Sequence, residues 1–349
     1  TPQQLHRSKT VHSGLVNHYR IGRNIGMEPD CLKGGRTMIT FDDVSFAYQG
    51  GIPDGSEPPA LRHIHFHAER GECIVLCGKS GCGKTTMLRM VNGLVPHFYQ
   101  GRLEGDITVG NVHIKEASLP QVAAVAGSVF QNPRTQFFHL DTTGEMAFNM
   151  ENLNIPHDKM VERLKETAWK LDIQTLMDRD IFQLSGGEKQ QIACGSVYAS
   201  MPEVIVMDEP SSNLDMESIR KLQDLIRTMK DEGKTILISE HRLWYLEDIA
   251  DRYVLLKDGQ IENEFTSDEI LALSLQELEQ SGLRAVRRKQ LWNMGTRTIR
   301  QEKDMEKAAF LEIEGLRFSR QMRQVLDINR LAIPKGAIVA VIGENGAGK

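Results

Sequence analysis

No stretch of this 349-residue chain approaches the roughly 18 consecutive apolar residues that a helix needs to cross a bilayer. A role at a membrane therefore requires a second polypeptide to make the crossing. The opening residues are polar and lack the apolar segment of a secretory signal. Cysteines are few. Cys31, Cys73, Cys77, Cys82 and Cys194 form no C-x-x-C pair, which argues against a zinc ribbon or a dithiol redox motif. Free thiols of this kind suit a reducing, cytoplasmic compartment. Positive charge is not in excess either. With 42 Lys and Arg against 47 Asp and Glu, a formal net charge of -5, composition gives no reason to expect a nucleic-acid ligand.

What the chain does have is glycine in a telling order. Gly78-Lys79-Ser80-Gly81-Cys82-Gly83-Lys84-Thr85 fits G-x-x-x-x-G-K-[ST], the phosphate-binding loop. Glycines let the backbone curl so that successive N–H groups face phosphate oxygens, and a following helix adds its positive end. In that role Lys84 reaches the β- and γ-phosphates of ATP, the Thr85 hydroxyl holds Mg²⁺, and Thr86 lies beside the nucleotide. The context agrees, because Cys73–Cys77 reads as a buried strand and Met87–Val91 continues as a helix.

Residues 1–37 show no periodicity and are expected to be a flexible leader, with Met27 or Met38 as possible native starts. A first domain is expected over 38–280. Ile39, Phe41, Val44 and Phe46 predict a strand ending at Tyr48, and Leu61–His67 predicts another. His63, His65 and His67 alternate along it, which leaves a metal site or a half-exposed strand as readings. Ile107–Ile114 predicts a hairpin about Gly110-Asn111, Val122–Phe130 a strand, and 142–180 helix. Val204–Met207 is an apolar strand ending in Asp208-Glu209, and Thr235–Ser239 is a strand with His241 just beyond it. Alternating strands and helices predict a mainly parallel sheet covered by helices, with antiparallel structure near the front.

Residues 281–308 shift to a polar, arginine-rich composition and read as a linker. From 309 the pattern recurs. Leu311, Ile313, Leu316 and Phe318 echo the first strand, and Gly343-Glu344-Asn345-Gly346-Ala347-Gly348-Lys349 echoes the phosphate loop, with 349 − 84 = 265 residues between the two lysines. We expect residues 309–349 to open a second domain of the same kind, cut short in this fragment.

The ordered set Gly78–Thr85, Gln131, Leu184-Ser185-Gly186-Gly187-Glu188, Asp208-Glu209, Asp215 and His241 resembles the ATP-binding cassette (ABC) family over about residues 38–265. The resemblance implies an α/β P-loop NTPase fold, with an antiparallel β subdomain and a helical subdomain, and it implies an ATPase. It implies Asp208 on Mg²⁺, Glu209 as the base that orients the attacking water, Gln131 on metal and water, and His241 on the γ-phosphate. Tyr48 is a candidate for stacking on adenine, with a core aromatic as the other reading. In the family, Ser185, Gly186 and Gly187 act on ATP held by the opposite domain. Two cassettes close head-to-tail, so these residues are expected to complete a site begun by Gly343, Gly348 and Lys349.

Within the family, Asn92–Tyr99, Phe130–Phe138 and Ser239-Glu240-His241-Arg242 look like the ATPase subunits of energy-coupling factor (ECF) transporters. That resemblance implies an importer of a vitamin, a vitamin precursor or a metal ion, peripheral on the cytoplasmic face of the membrane. Its implied partners are a transmembrane coupling protein and a small membrane-embedded substrate binder. Phe137 and Phe138 are expected either as an exposed pair facing the coupling protein or as core. Other tandem-cassette importers, and ABC proteins acting on ribosomes or DNA, remain alternatives.

Overall fold

The computed structural model describes residues 37–49, 59–287, 309–320, 323–336 and 338–341. The expected leader (apart from Thr37), the linker from residue 288 to 308 and the second loop, Gly343–Lys349, lie outside the described residues.

Two sheets form the frame. Strands β1 (Thr37–Tyr48), β2 (Leu61–Glu69), β4 (Gly101–Val109) and β5 (Val112–His113) make an antiparallel sheet in the order β2-β1-β4-β5. The hairpin expected about Gly110-Asn111 is its β4–β5 turn. Strands β3 (Cys73–Cys77), β6 (Ala126–Val129), β7 (Val204–Asp208), β8 (Thr235–Ser239), β9 (Arg252–Lys257) and β10 (Gln260–Thr266) make a second sheet, ordered β10-β9-β3-β8-β7-β6. Its pairings are parallel except for the β9–β10 hairpin.

Alternation along the central strands divides the interior in two. Ile74 and Leu76 of β3, with Val204, Val206 and Leu237, face a core shared with Phe41, Phe46 and Phe66 of the antiparallel sheet. Cys73, Val75 and Cys77, with Ile205, Met207, Ile236 and Ile238, face the opposite core. Strands buried on both faces read as continuous apolar runs, which is why these were legible.

Helices α1 (Lys84–Val91), α2 (Leu94–His97) and α3 (Leu119–Ala123) belong to the first half of the fold. The apolar run expected as one strand from Val122 to Phe130 divides. Ser118 and Gln121 form a reciprocal cap with Pro120 in the first turn, so α3 takes the start of the run and only Ala126–Val129 is strand. The helical stretch expected over 142–180 divides as well. Helix α4 (Thr142–Asn152) stops where Asn154 turns left-handed, α5 (His157–Lys170) restarts after Pro156, and short 3₁₀ turns follow.

Helix α6 (Gly186–Ala199) is buried on nearly every side and packs against α4, α5 and α7 (Met216–Asp231). Helix α7 instead has a single apolar stripe, Ile219, Leu222, Leu225, Ile226 and Met229, turned to the core. After α8 (Ser267–Ala272) and α9 (Leu275–Gln280) the packing continues through buried Leu283, Ala285 and Val286. The polar-looking sequence just past residue 280 thus contributes three buried side chains.

Strands β11 (Ala309–Arg320) and β12 (Arg323–Pro334) form an antiparallel hairpin. Its pairs Leu311↔Ile333, Ile313↔Leu331 and Phe318↔Leu326 repeat Ile39↔Ala68, Phe41↔Phe66 and Phe46↔Leu61 of β1 and β2.

Candidate nucleotide site

Four parallel strands end on one side, and the segment after each carries a residue singled out by sequence. The phosphate loop follows β3, Gln131 follows β6, Glu209 follows β7, and His241 follows β8. In open α/β sheets ligands bind at this carboxyl edge.

Two glycines in the loop are required by geometry. Gly78 has φ 130°, and a Cβ there would lie 2.2 Å from the carbonyl oxygen of Leu256. Gly83 has φ 110°, and its Cβ would lie 2.6 Å from Leu61 Cδ2. Lys84 opens α1 and is only 4% exposed. Its Nζ donates to the carbonyls of Gly78 at 2.9 Å and Lys79 at 3.0 Å, so the ammonium sits inside the curl of the loop. Lys79, Ser80 and Gly81 are exposed at the rim and Cys82 is buried under it. Burial raises the thiols of Cys73 and Cys77 to about 12, so both are inert at neutral pH.

The Thr85 hydroxyl donates to Asp208 Oδ1 at 3.2 Å, which joins the end of the loop to the end of β7. Beside it, Glu209 adopts φ 44°, an unusual conformation for a glutamate and the kind of strain found at functional positions. Its carboxylate is held from both sides. Gln131 Nε2 donates to Oε2 at 3.0 Å, and His241 Nε2 lies 3.2 Å from Oε1. Burial and then the Lys84 charge hold the His241 imidazole below the ordinary histidine range, against the opposing pull of Glu209. The depressed pKa favours the neutral imidazole, and the contact with a carboxylate suits a proton on Nε2.

The glycine-rich segment after Leu184 opens α6. Ser185 is the N-cap; Glu188 N donates to Ser185 Oγ at 3.2 Å, and Ser185 N donates to Glu188 Oε2 at 2.7 Å. Burial alone would raise the Glu188 carboxyl, but the hydrogen bonds from Ser185 together with the charges of Arg179 and Lys221 outweigh it and lower the pKa. A Cβ on Gly187 would lie 2.2 Å from Ser218 Oγ, so α6 and α7 touch here; a Cβ on Gly186 would meet nothing within 4 Å. Asp215 is the N-cap of α7, accepting from Ser218 N at 2.9 Å.

Tyr48 closes β1 half-buried, edge-on to Phe46 and Tyr99. Its hydroxyl lies 3.0 Å from Thr86 Oγ1 and accepts from Arg89 Nη1 at 3.2 Å. Arg89 in turn stacks over Tyr99 at 4.2 Å. Arg89 carried no recognisable signal, because it sits in an ordinary helical pattern, and Tyr99 was singled out only as the end of the Asn92–Tyr99 run, not for this contact.

Two readings left open by the sequence are decided by burial. The pair Phe137-Phe138 splits, with Phe137 packed against the core and Phe138 74% exposed and stacked on Phe148. Alternation turns one ring inward, so an exposed aromatic pair does not exist. His63, His65 and His67 are exposed on β2, and acids do lie close, since His63 Nδ1 is 2.8 Å from Asp43 Oδ1 and His65 Nε2 is 3.5 Å from it. No group of three or more His, Cys, Asp or Glu among the described residues is arranged to hold a metal ion. The half-exposed strand is the outcome.

Residues 61–212 match the family model for the ABC transporter domain. Two proteins of Treponema denticola, both provisionally named ABC transporter ATP-binding proteins, are 40% and 36% identical to this chain over 89% of its length. The chain spans 63% and 62% of their respective lengths. Among solved structures, cbiO1 of Clostridium perfringens, part of the ABC transporter complex cbiONQ, superimposes with a TM-score of 0.61 at 24% identity, covering 70% of this chain and 96% of that one. A dimeric ATP-binding cassette bound to ADP and Pi gives a TM-score of 0.58 at 22% identity, covering 66% of this chain and 99% of that one. Family model, relatives and fold agree with the carboxyl-edge cluster, and the chain thus carries an ABC-type P-loop nucleotide-binding domain.

Proposed function

We propose that this chain binds and hydrolyses Mg–ATP to power an importer of the energy-coupling-factor type for a vitamin, a vitamin precursor or a metal ion. The observation that carries the ATPase reading is the Glu209 carboxylate, held between Gln131 and His241 beside the Thr85–Asp208 pair. The site suits the implied ligands. Thr85 and Asp208 offer hard oxygen donors to Mg²⁺, and the looped amides with Lys84 offer a cradle to phosphate. Bound Mg²⁺ supplies neutralisation of charge on the phosphate oxygens.

The protein's own groups do the rest. Lys84 exchanges backbone carbonyls for phosphate oxygens. Glu209 accepts a hydrogen bond from the attacking water, and Gln131 fixes the direction of that carboxylate. Neutral His241 donates from Nε2 to the oxygen on which charge develops. Tyr48 offers a ring edge-locked by Thr86 and Arg89 to the adenine.

Exposed Ser185 and Gly186 suit a second cassette closing from outside. Gly186 is not demanded by packing within this chain, whereas an approaching nucleotide needs that space. The repeated register of β11 and β12 supports the reading that a second cassette begins at residue 309, with Gly343, Gly348 and Lys349 in its phosphate loop. The ECF assignment rests on Asn92–Tyr99, Phe130–Phe138 and Ser239–Arg242. It agrees with the complex to which cbiO1 belongs, a likeness that speaks to fold alone. Among the described residues no helix is long and apolar enough to cross a membrane, so the transport path is assigned to partner chains. Exposed Phe138, with Leu140 and Phe182 nearby in the same subdomain, offers those partners an apolar contact.

The test uses the complete protein, purified in mild detergent from native membranes. A multi-span coupling protein and a small membrane-embedded binder are expected to accompany it. In that complex E209Q is expected to lower ATP turnover at least about 100-fold while ATP affinity stays within about threefold. Ribosomal or DNA-repair partners would overturn transport, and unchanged turnover in E209Q would overturn the role of Glu209.

A further inference from the structure

Directly before His241 lies a carboxylate that the mechanism above does not use. Glu240 is 2% exposed, and its two oxygens accept four hydrogen bonds. Oε1 takes the backbone N–H of Ser211 at 3.0 Å and the Tyr245 hydroxyl at 2.8 Å. Oε2 takes the N–H groups of His241 at 2.9 Å and Arg242 at 3.1 Å. Burying a carboxylate is costly, and it persists only where its lone pairs are met. Here they are met by two different loops.

The second half of the arrangement runs the other way. Arg242 Nη1 donates to the carbonyls of Ser211 and Leu214, both at 3.2 Å. One loop, Glu209–Asp215, begins at the catalytic carboxylate and ends at the N-cap of α7. The other begins at Glu240 and carries His241. A carboxylate binds the amides and a guanidinium binds the carbonyls, so the two loops are braced through both polarities of their backbone. The distance so fixed is the one between Glu209 and His241, 3.2 Å.

We propose that Glu240 is a positioning residue that locks the Glu209 loop to the His241 loop and so sets the geometry in which the two meet the γ-phosphate. The proposal rests on the ATPase reading above and names a further residue for the same site. A misplacement of about 1 Å at a reacting group costs on the order of 100-fold in rate, so the brace matters to turnover more than to binding. Phosphate affinity is supplied by the loop at Lys84, which Glu240 does not touch.

The informative variant is E240Q, which keeps the shape but places a donor –NH₂ on one side. Turned one way, the amide leaves the N–H groups of His241 and Arg242 without their acceptor; turned the other, it leaves the Ser211 N–H that ties in the second loop without one, while the Tyr245 hydroxyl rotates to accept. Y245F is the control, since it removes one donor to the same carboxylate and leaves both loops tied. The complete protein is assayed for kcat and ATP affinity. Hydrogen exchange over 209–215 and 240–245 is followed without nucleotide.

In E240Q, kcat is expected to fall about tenfold or more with ATP affinity within about threefold, and exchange in both segments to quicken. Y245F is expected to keep kcat within about twofold. An E240Q protein with parental kcat, or one whose ATP affinity falls in step with kcat, overturns the proposal. So does a Y245F protein that loses as much activity as E240Q, because the role is then support of the core. A parent protein without ATP hydrolysis overturns the function instead, and the exchange measurement still decides whether Glu240 joins the loops.

Discussion

His241 shows how one side chain carries both chemistry and a stability signature. Burial and then Lys84 keep its imidazole below the ordinary histidine pKa in the folded chain. The unfolded chain, titrating near the usual value of about 6.5, binds the proton first as pH falls. Stability is therefore unaffected by this group above that value and declines below it, until the folded pKa is also passed. H241Q should abolish that part of the decline. The melting temperatures of parent and variant, compared between pH 7.5 and 5.5, are expected to differ in slope, the parent losing more. Equal slopes would mean that burial does not bias the imidazole. At this scale most of the site was visible in the sequence, because Lys84, Asp208, Glu209 and His241 lie beside glycines or at the ends of apolar runs. Glu240 and Arg242 stood out only as part of a resemblance, and their bracing role did not, since it depends on partners 28 to 31 residues away that no local pattern announces.

Among the elements, α6 and α7 are joined at both ends. Gly187 meets Ser218 near their starts, and the Tyr198 hydroxyl donates to Glu232 near their finishes. Lys170 of α5 adds an ion pair to the same glutamate at 2.6 Å. A methyl group at position 187 must push the helices apart. G187A is expected to cost about 1–3 kcal/mol in denaturant unfolding. Adding S218G removes the atoms in the way, so the double variant should recover more than half of the Gly187 effect. Additive losses would show that the two positions do not press on each other. The sequence could not show this contact, because a glycine that admits a neighbouring helix and a glycine that admits a ligand look alike. Apolar runs did show the central strands, and periodicity showed helix over much of 142–180. It missed the break within that stretch, where an αL Asn154 and a proline restart the chain between two helices.

Across the whole molecule, the fold class was legible from the alternation of strands and helices, while the subdivision of the interior into two cores was not. Neither was the packing past residue 280, where Leu283 and Val286 are buried within a charged sequence. If two cassettes close around nucleotide, a bulky group at Gly186 should have different effects on folding and on turnover. G186R is expected to leave the melting temperature within about 2 °C, since its Cβ meets nothing within 4 Å. The same change should lower ATP turnover at least about 100-fold by obstructing the partner's approach. A G186R protein with parental turnover would argue that this segment faces solvent throughout the cycle.

The strict alternation of β3 between the two cores has a genetic counterpart. One extra codon within Cys73–Cys77 would carry Ile74 and Leu76 to the side built for Cys73, Val75 and Cys77, and would aim the phosphate loop at the opposite face. Two codons would restore the facing but lengthen the strand by roughly 7 Å. Substitutions in this strand are matters of degree, whereas insertions and deletions of any small size are not, so its length is the part of the sequence with the least freedom to drift.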